Sequence, residues 1–211
     1  MTTTRSDTIP ELPSALHDLH RRMAQLAGES CPQGLGPVTG VGNPNAALCL
    51  IGEAPAEYEV REGRPFAGPA GRVLDDVLAQ ADIPRASVWL SNVVKCRTMR
   101  VVNGRRENRA PLVGELKVWM PLLDEELSIV RPSVIVCLGG TAAKALLGKS
   151  FKLTEQRGQW FDGPNGARVM ATFHPAYVLH LQQHDPDRSD AAYDTLLNDL
   201  KMARDKAGSH K

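Results

Sequence analysis

The residues with chemistry to offer stand at the ends of apolar runs. Gly52-Glu53-Ala54-Pro55 closes Ala46 to Ile51, Asn92 lies within Val88 to Val94, and His174-Pro175 closes Arg168 to Phe173. In an open α/β sheet, ligands bind beyond the carboxyl ends of the strands, so these three positions would face one crevice. An asparagine there offers a donor and an acceptor side by side, which suits a nucleobase edge presenting an N–H beside a carbonyl. Uracil presents that pair and cytosine does not. Two readings of Asn92 stand together: it reads such an edge, or it bonds neighbouring backbone. His174 also has two, a structural histidine or a catalytic one, and the Pro175 that follows sets the direction of the loop it opens.

After the first run come acids at Glu57, Glu59 and Glu62, then Gly63-Arg64-Pro65-Phe66-Ala67-Gly68-Pro69-Ala70-Gly71. The glycines and prolines predict a shaped loop rather than a helix, with Phe66 held by rigid neighbours as a platform, or else buried as a core residue. No G-x-G-x-x-G or Walker pattern is present, which argues against a nucleotide cofactor. Lys95, Arg97, Arg100, Arg105, Arg106 and Arg109 face the single acid Glu107, with Asn103-Gly104 marking a turn among them. A formal net charge of +1 excludes attraction by global basicity, so an acidic polymer would be met by this local patch. The other reading of the stretch is a solvated loop. His17, His20, His180, His184 and His210 lie on helices or tails and receive no role.

The elements that must position these groups are legible from periodicity. Ala46 to Ile51, Val88 to Val94, Ser133 to Leu138 and Arg168 to Phe173 read as buried parallel strands. Apolar residues at helical spacing predict helices over Leu12 to Leu26, Ala70 to Ala81, Leu116 to Val130, Ala142 to Leu147 and Asp190 to Lys206. The alternation predicts an α/β fold, a three-layer α/β/α sandwich around a four-stranded, mainly parallel sheet. With 211 residues, 42% of them apolar, one domain over 12–206 is expected, with disordered tails at 1–11 and 207–211. No membrane span or signal peptide is read, so a cytoplasmic protein is expected. Cys31, Cys49, Cys96 and Cys137 lack C-x-x-C spacing and are expected to be structural thiols in a reducing compartment.

Taken in order, the segments resemble the uracil-DNA glycosylase superfamily, most closely its family 4 branch. The matching pieces are Gly52-Glu53-Ala54-Pro55, Gly63 to Gly71, Asn92-Val93-Val94-Lys95-Cys96-Arg97, Asn108-Arg109-Ala110-Pro111, Leu138 to Ala143, Arg157-Gly158 and His174-Pro175-Ala176-Tyr177. They cover 40–181. The resemblance implies hydrolysis of the bond between uracil and deoxyribose in DNA after the nucleotide is flipped from the stack, leaving an abasic site for base-excision repair. It implies that Phe66 stacks on the base, Asn92 reads its edge and His174 stabilises the charge on the departing base. Glu53 would orient the attacking water or face the cationic sugar. Glu59 would crowd the C5 side of the ring, and Val178 and Leu179 would supply an apolar wedge for the gap left in the stack.

Three departures modify what the resemblance implies. The best-known branch places an Asp where Ala54 stands at the uracil site, so an Asp-activated water is excluded here, and a protein that binds uracil or abasic DNA with little turnover is the alternative. Family 4 carries an iron-sulfur cluster on four cysteines, of which only Cys96 matches; Trp119 stands at another ligand position and Cys31 is out of register. No cluster and no metal are expected, with Trp119 helping to fill that region. The basic stretch from Met99 to Glu107 resembles an insertion in a related branch whose histidine becomes attached to the abasic sugar. Asn108 stands at that position, so turnover is expected, with Arg105, Arg106, Asn108 and Arg109 contacting DNA. A monomer acting on single- or double-stranded uracil-containing DNA is implied.

Overall fold

The computed structural model describes residues 10–31 and 36–209, so of the tails expected at 1–11 and 207–211, residues 1–9 and 210–211 lie outside the described residues, while 207–208 are helical. The sheet is built on two continuous apolar strands, β2 (Leu48–Gly52) and β6 (Val134–Leu138), every residue of which is buried. Strands buried on both faces have no polar alternation, and these two pair in parallel at the centre. β3 (Trp89–Asn92) joins β2 and β8 (Arg168–Thr172) joins β6, also in parallel.

Two strands extend the expected four. β1 (Val41–Gly42) and β7 (Phe161–Asp162) pair antiparallel with β3 and β8, giving six in the order β1-β3-β2-β6-β8-β7. Each is two residues long, too short to leave a periodic signal, and such short edges offer little template for pairing with another chain. The basic stretch, expected as a loop, is a separate antiparallel hairpin of β4 (Met99–Val102) and β5 (Arg105–Asn108). Its two-residue turn is Asn103-Gly104, with φ of 50° and 75°, the left-handed pair that matches strand twist.

Helices cover both faces. Leu16, Leu19 and Met23 of α1 (Ser14–Ser30), Trp119, Leu123 and Leu127 of α4 (Val113–Val130), and Ala142 and Ala143 of α5 (Gly140–Leu147) share one buried cluster with Cys49, Ile51 and Trp89. Leu50 and Leu90 face the other cluster, with Leu74 and Val77 of α3 (Pro69–Gln80), Val178 of α7 (Pro175–His184), and Leu196 and Leu200 of α8 (Pro186–Gly208). Short helices α2 (Glu57–Glu62) and α6 (Leu153–Gln156) complete the set. α2 and α7 occupy segments expected as loops. Pro175 at the first turn of α7 is compatible with a helix start, because its missing N–H would have had no intrahelical partner. No helix among the described residues is long and apolar enough to cross a membrane.

Cys49 and Cys137 are free and buried as expected, but the other two cysteines depart from expectation. Cys31, which caps α1, and Cys96, beyond β3, form a disulfide with a Cα–Cα distance of 5.3 Å. Their sequence separation of 65 hides a contact made where the end of α1 joins the buried cluster that also holds Cys96. Reduction is expected to lower stability by about 2–4 kcal/mol. The check is a fall in Tm on adding dithiothreitol that disappears in Cys96→Ser.

Candidate active site

A cleft of about 350 Å³ opens where β2, β3 and β8 end. Glu53, Ala54, Glu59, Phe66, Asn92 and His174, six residues picked out in the sequence, all line it. Its volume lies at the lower end of the range of about 300–1,000 Å³ for small-molecule sites. Tyr58, 47% exposed on α2, and Thr98, between β3 and β4, also line it and carried no sequence signal, since each is a single residue outside any motif.

Phe66 is both things the sequence left open: it is buried in the core cluster of α3 and still forms a wall of the cleft. Its φ of 53° is costly for a side chain of this size, so something must hold it. Glu59 does. Its carboxylate accepts from the Phe66 N–H at 2.7 Å and from the Ala56 N–H at 2.7 Å, tying the start of α2 to the loop seven residues on. Burial raises the Glu59 pKa, and the Ala56 and Phe66 N–H groups partly counter that. The crowding role implied for Glu59 is therefore joined by a structural one, the clamping of Phe66. Glu59→Gln leaves one of the two N–H groups without an acceptor, so a loss of about 1–3 kcal/mol is expected, visible as a lower Tm.

Glycine makes the close packing possible. A Cβ on Gly52 would fall 2.3 Å from Asn92 Oδ1 and 2.8 Å from Phe66 Cζ, and one on Gly71 would strike the Phe66 carbonyl. Asn92 itself is 1% exposed, and its Nδ2 has no hydrogen-bond partner among the described residues. A buried donor left open costs free energy unless a ligand takes it.

His174 is the N-cap of α7, not the start of a loop. Its Nδ1 accepts from the Ala176 N–H at 3.0 Å. Burial lowers its pKa to about 4, so the ring is neutral near pH 7 and its one proton sits on Nε2. The ring centroid lies 6.1 Å from that of Phe66. The cleft thus joins an aromatic face, an unsatisfied amide and a neutral imidazole donor, with Glu53 also in its lining.

Residues 39–201 match the Uracil DNA glycosylase superfamily. A type-4 uracil-DNA glycosylase of Thermotoga maritima is 36% identical over 168 residues, covering 79% of this chain and 81% of that protein. The chain belongs to the uracil-DNA glycosylase superfamily. A type-4 uracil-DNA glycosylase of Archaeoglobus fulgidus is 34% identical over 153 residues, 69% of this chain and 73% of that protein. A type-5 uracil-DNA glycosylase of Thermus thermophilus is 28% identical over 185 residues, 78% of this chain and 80% of that protein.

Against the pattern implied for this superfamily, two residues change role. Val178 is completely buried against the sheet, so it cannot enter a DNA stack without opening the core. Leu179 beside it is partly exposed and remains available. Arg109 lines the cleft, but its guanidinium donates to the Met99 and Ala110 carbonyls and, through both terminal nitrogens, to Glu115 at 2.7 Å. With four such bonds it is a strut at the hairpin root, not a free phosphate ligand. Asn108 also lines the cleft, its Oδ1 accepting from Arg97 Nε at 3.0 Å. Arg105 and Arg106 are exposed on the hairpin, while Arg100 pairs with Glu107.

The iron-sulfur cluster of family 4 needs four thiolates. Cys31 and Cys96 are bonded to each other, and Cys49 and Cys137 are buried in β2 and β6, where burial raises the Cys137 pKa to about 12. Trp119, 1% exposed, packs in the same cluster as Cys31 and Cys96. Among the described residues no three His, Cys, Asp or Glu are grouped to hold a metal ion. The cysteines present do not fit the cluster.

Proposed function

We propose that this chain is a monofunctional uracil-DNA glycosylase that works without an iron-sulfur cluster and without covalent trapping. The supporting observation is the convergence of Phe66, the open Asn92 amide and the Nε2–H of neutral His174 on one cleft. A flipped deoxyuridine places its base against Phe66, a contact worth about 1–3 kcal/mol in stacking. Asn92 accepts from the base N3–H and donates to its O4.

As the bond from C1′ to N1 breaks, its electron pair moves into the uracil ring and positive charge builds on the sugar. The His174 Nε2–H donates to the carbonyl oxygen beside N1, where the negative charge gathers, stabilising the leaving anion without transferring its proton. Water then attacks C1′ and loses a proton, and the uracil anion takes one up. Glu53, which lines the cleft, would orient that water and face the cationic sugar. Asn108, where a related branch has its histidine, offers a weak amide nucleophile, so the abasic product is released.

Arg105 and Arg106 would hold phosphates beside the lesion. Replacing both with Ala is expected to reduce the slope of log affinity against log salt by about 1–2, at roughly 0.9 per phosphate contact. An unchanged slope would remove the hairpin from DNA binding.

The second reading, a uracil-DNA binder with little turnover, is favoured by one observation: Ala54 lines the cleft with a methyl group where another branch has a carboxylate. Alkali scission of a uracil-containing oligonucleotide separates the two. Product exceeding one equivalent of protein supports the glycosylase, and intact uracil-DNA held in a complex supports the binder. Stoichiometric iron in the purified protein would overturn the cluster-free assignment.

A further inference from the structure

Behind Asn92 lies a charged network that the proposed reaction never touches. Side chains alternate along β3, so Asn92 and Leu90 face the Phe66 side of the sheet while Trp89 and Ser91 face α4. On that second face Lys95 and Glu126, both 0% exposed, form an ion pair at 2.6 Å. Lys95 Nζ also donates to the Asn92 carbonyl at 2.8 Å and to Ser91 Oγ, so all three ammonium hydrogens have acceptors. Glu126 in turn accepts from Trp89 Nε1 at 3.0 Å and from the Ser91 hydroxyl. Gly40 closes the chamber, since a Cβ there would fall 2.0 Å from Glu126 Oε1.

Taking two charges fully out of water is expensive, and an apolar pair of the same volume often serves stability as well. Packing alone therefore does not account for the pair. What it adds is direction. The Val93 and Val94 N–H groups bond to the Gly52 and Glu53 carbonyls at 2.9 and 3.0 Å, and Lys95 pulls on the Asn92 carbonyl from the far face. The peptide that carries Asn92 is thus held on both sides, at the one residue whose amide must meet the base edge.

We infer that the buried Lys95–Glu126 pair is a positioning device that sets the orientation of Asn92 and with it the affinity of the cleft for the base. This rests on reading the cleft as a uracil site. An edge contact made alike in the bound ground state and in the transition state acts on KM rather than kcat.

The test is the double variant K95M/E126Q. It removes both charges together, preserves volume and leaves an acceptor for Trp89 and Ser91, whereas K95M alone would strand a buried carboxylate. With cooperative melting retained, KM for uracil-containing DNA is expected to rise at least about tenfold and kcat to change less than about threefold, with inhibition by free uracil weakening in parallel. The Asn92 side-chain amide signal in a ¹⁵N–¹H spectrum, assigned by its loss in Asn92→Asp, is expected to shift or broaden. An unmoved amide signal, or a folded variant with unchanged KM, overturns the positioning role. Wild-type protein that leaves uracil-DNA intact overturns the uracil-excision reading instead, and the amide signal still decides whether the pair orients Asn92.

Discussion

His174→Asn is expected to lower the rate of uracil excision by about 10²–10³-fold with little change in Tm, the loss typical of a single donor aimed at developing negative charge. Asparagine is a good N-cap, so its side-chain oxygen can still accept from the Ala176 N–H, while the Nε2–H that reaches the cleft is gone. The variant therefore separates chemistry from the capping of α7. Single-turnover excision beside a melting curve is the measurement, and an unaltered rate would remove the imidazole from the mechanism.

The same residue predicts the pH profile. With its pKa lowered from 6.5 to about 4, the ring stays neutral in the folded protein through the range where a free histidine would charge. Excision should not fall with a midpoint near 6.5, and any loss assigned to His174 should centre near pH 4, where protonating Nδ1 would set two donors face to face at the cap. The sign for stability follows. Between 6.5 and about 4 the unfolded chain binds a proton here that the folded chain does not, so this residue lowers stability as pH falls through that window. His20, also lowered chiefly by burial, acts in the same direction.

Asn92→Asp carries the second large effect. The isosteric carboxylate removes a buried donor that lacks a partner among the described residues and sets a negative charge beside Glu59 and opposite a uracil carbonyl. A site built to pair a polar edge loses heavily when one partner is mismatched, and a fall of about 10²–10³-fold in kcat/KM for uracil-DNA is expected. Excision kinetics on otherwise identical oligonucleotides measure it. Equal activity in the variant would mean that the base is recognised elsewhere in the cleft.

Several features were legible because their signals are local. The buried strands β2 and β6 are uninterrupted apolar runs, and α3, α4 and α8 carry long amphipathic patterns, so their existence follows from periodicity, with ends shifting by a few residues. The Asn103-Gly104 turn declared itself by composition, although the hairpin around it did not, because its strands are largely exposed and polar. α2 and α7 were missed because the proline and glycine beside them, Pro55 and Gly63 around α2 and Pro175 opening α7, read as marks of a loop. Val178 looked like a wedge by position in the chain, and only the packing of α7 on the core turns it inward.

By itself, then, the sequence determined which groups stand at strand ends and in what order, because side-chain identity and strand-forming runs are written along the chain. Tertiary structure decided what those groups can do. The Glu59 clamp on Phe66, the tautomer of His174, the unpartnered Asn92 amide, the Arg109 strut and the buried Lys95–Glu126 pair are each set by the geometry of specific contacts, some between near neighbours in the chain and some between distant elements, or by burial. Hydrogen-bond geometry and desolvation depend on distances in space, and no residue spacing encodes those until the sheet brings the loops together.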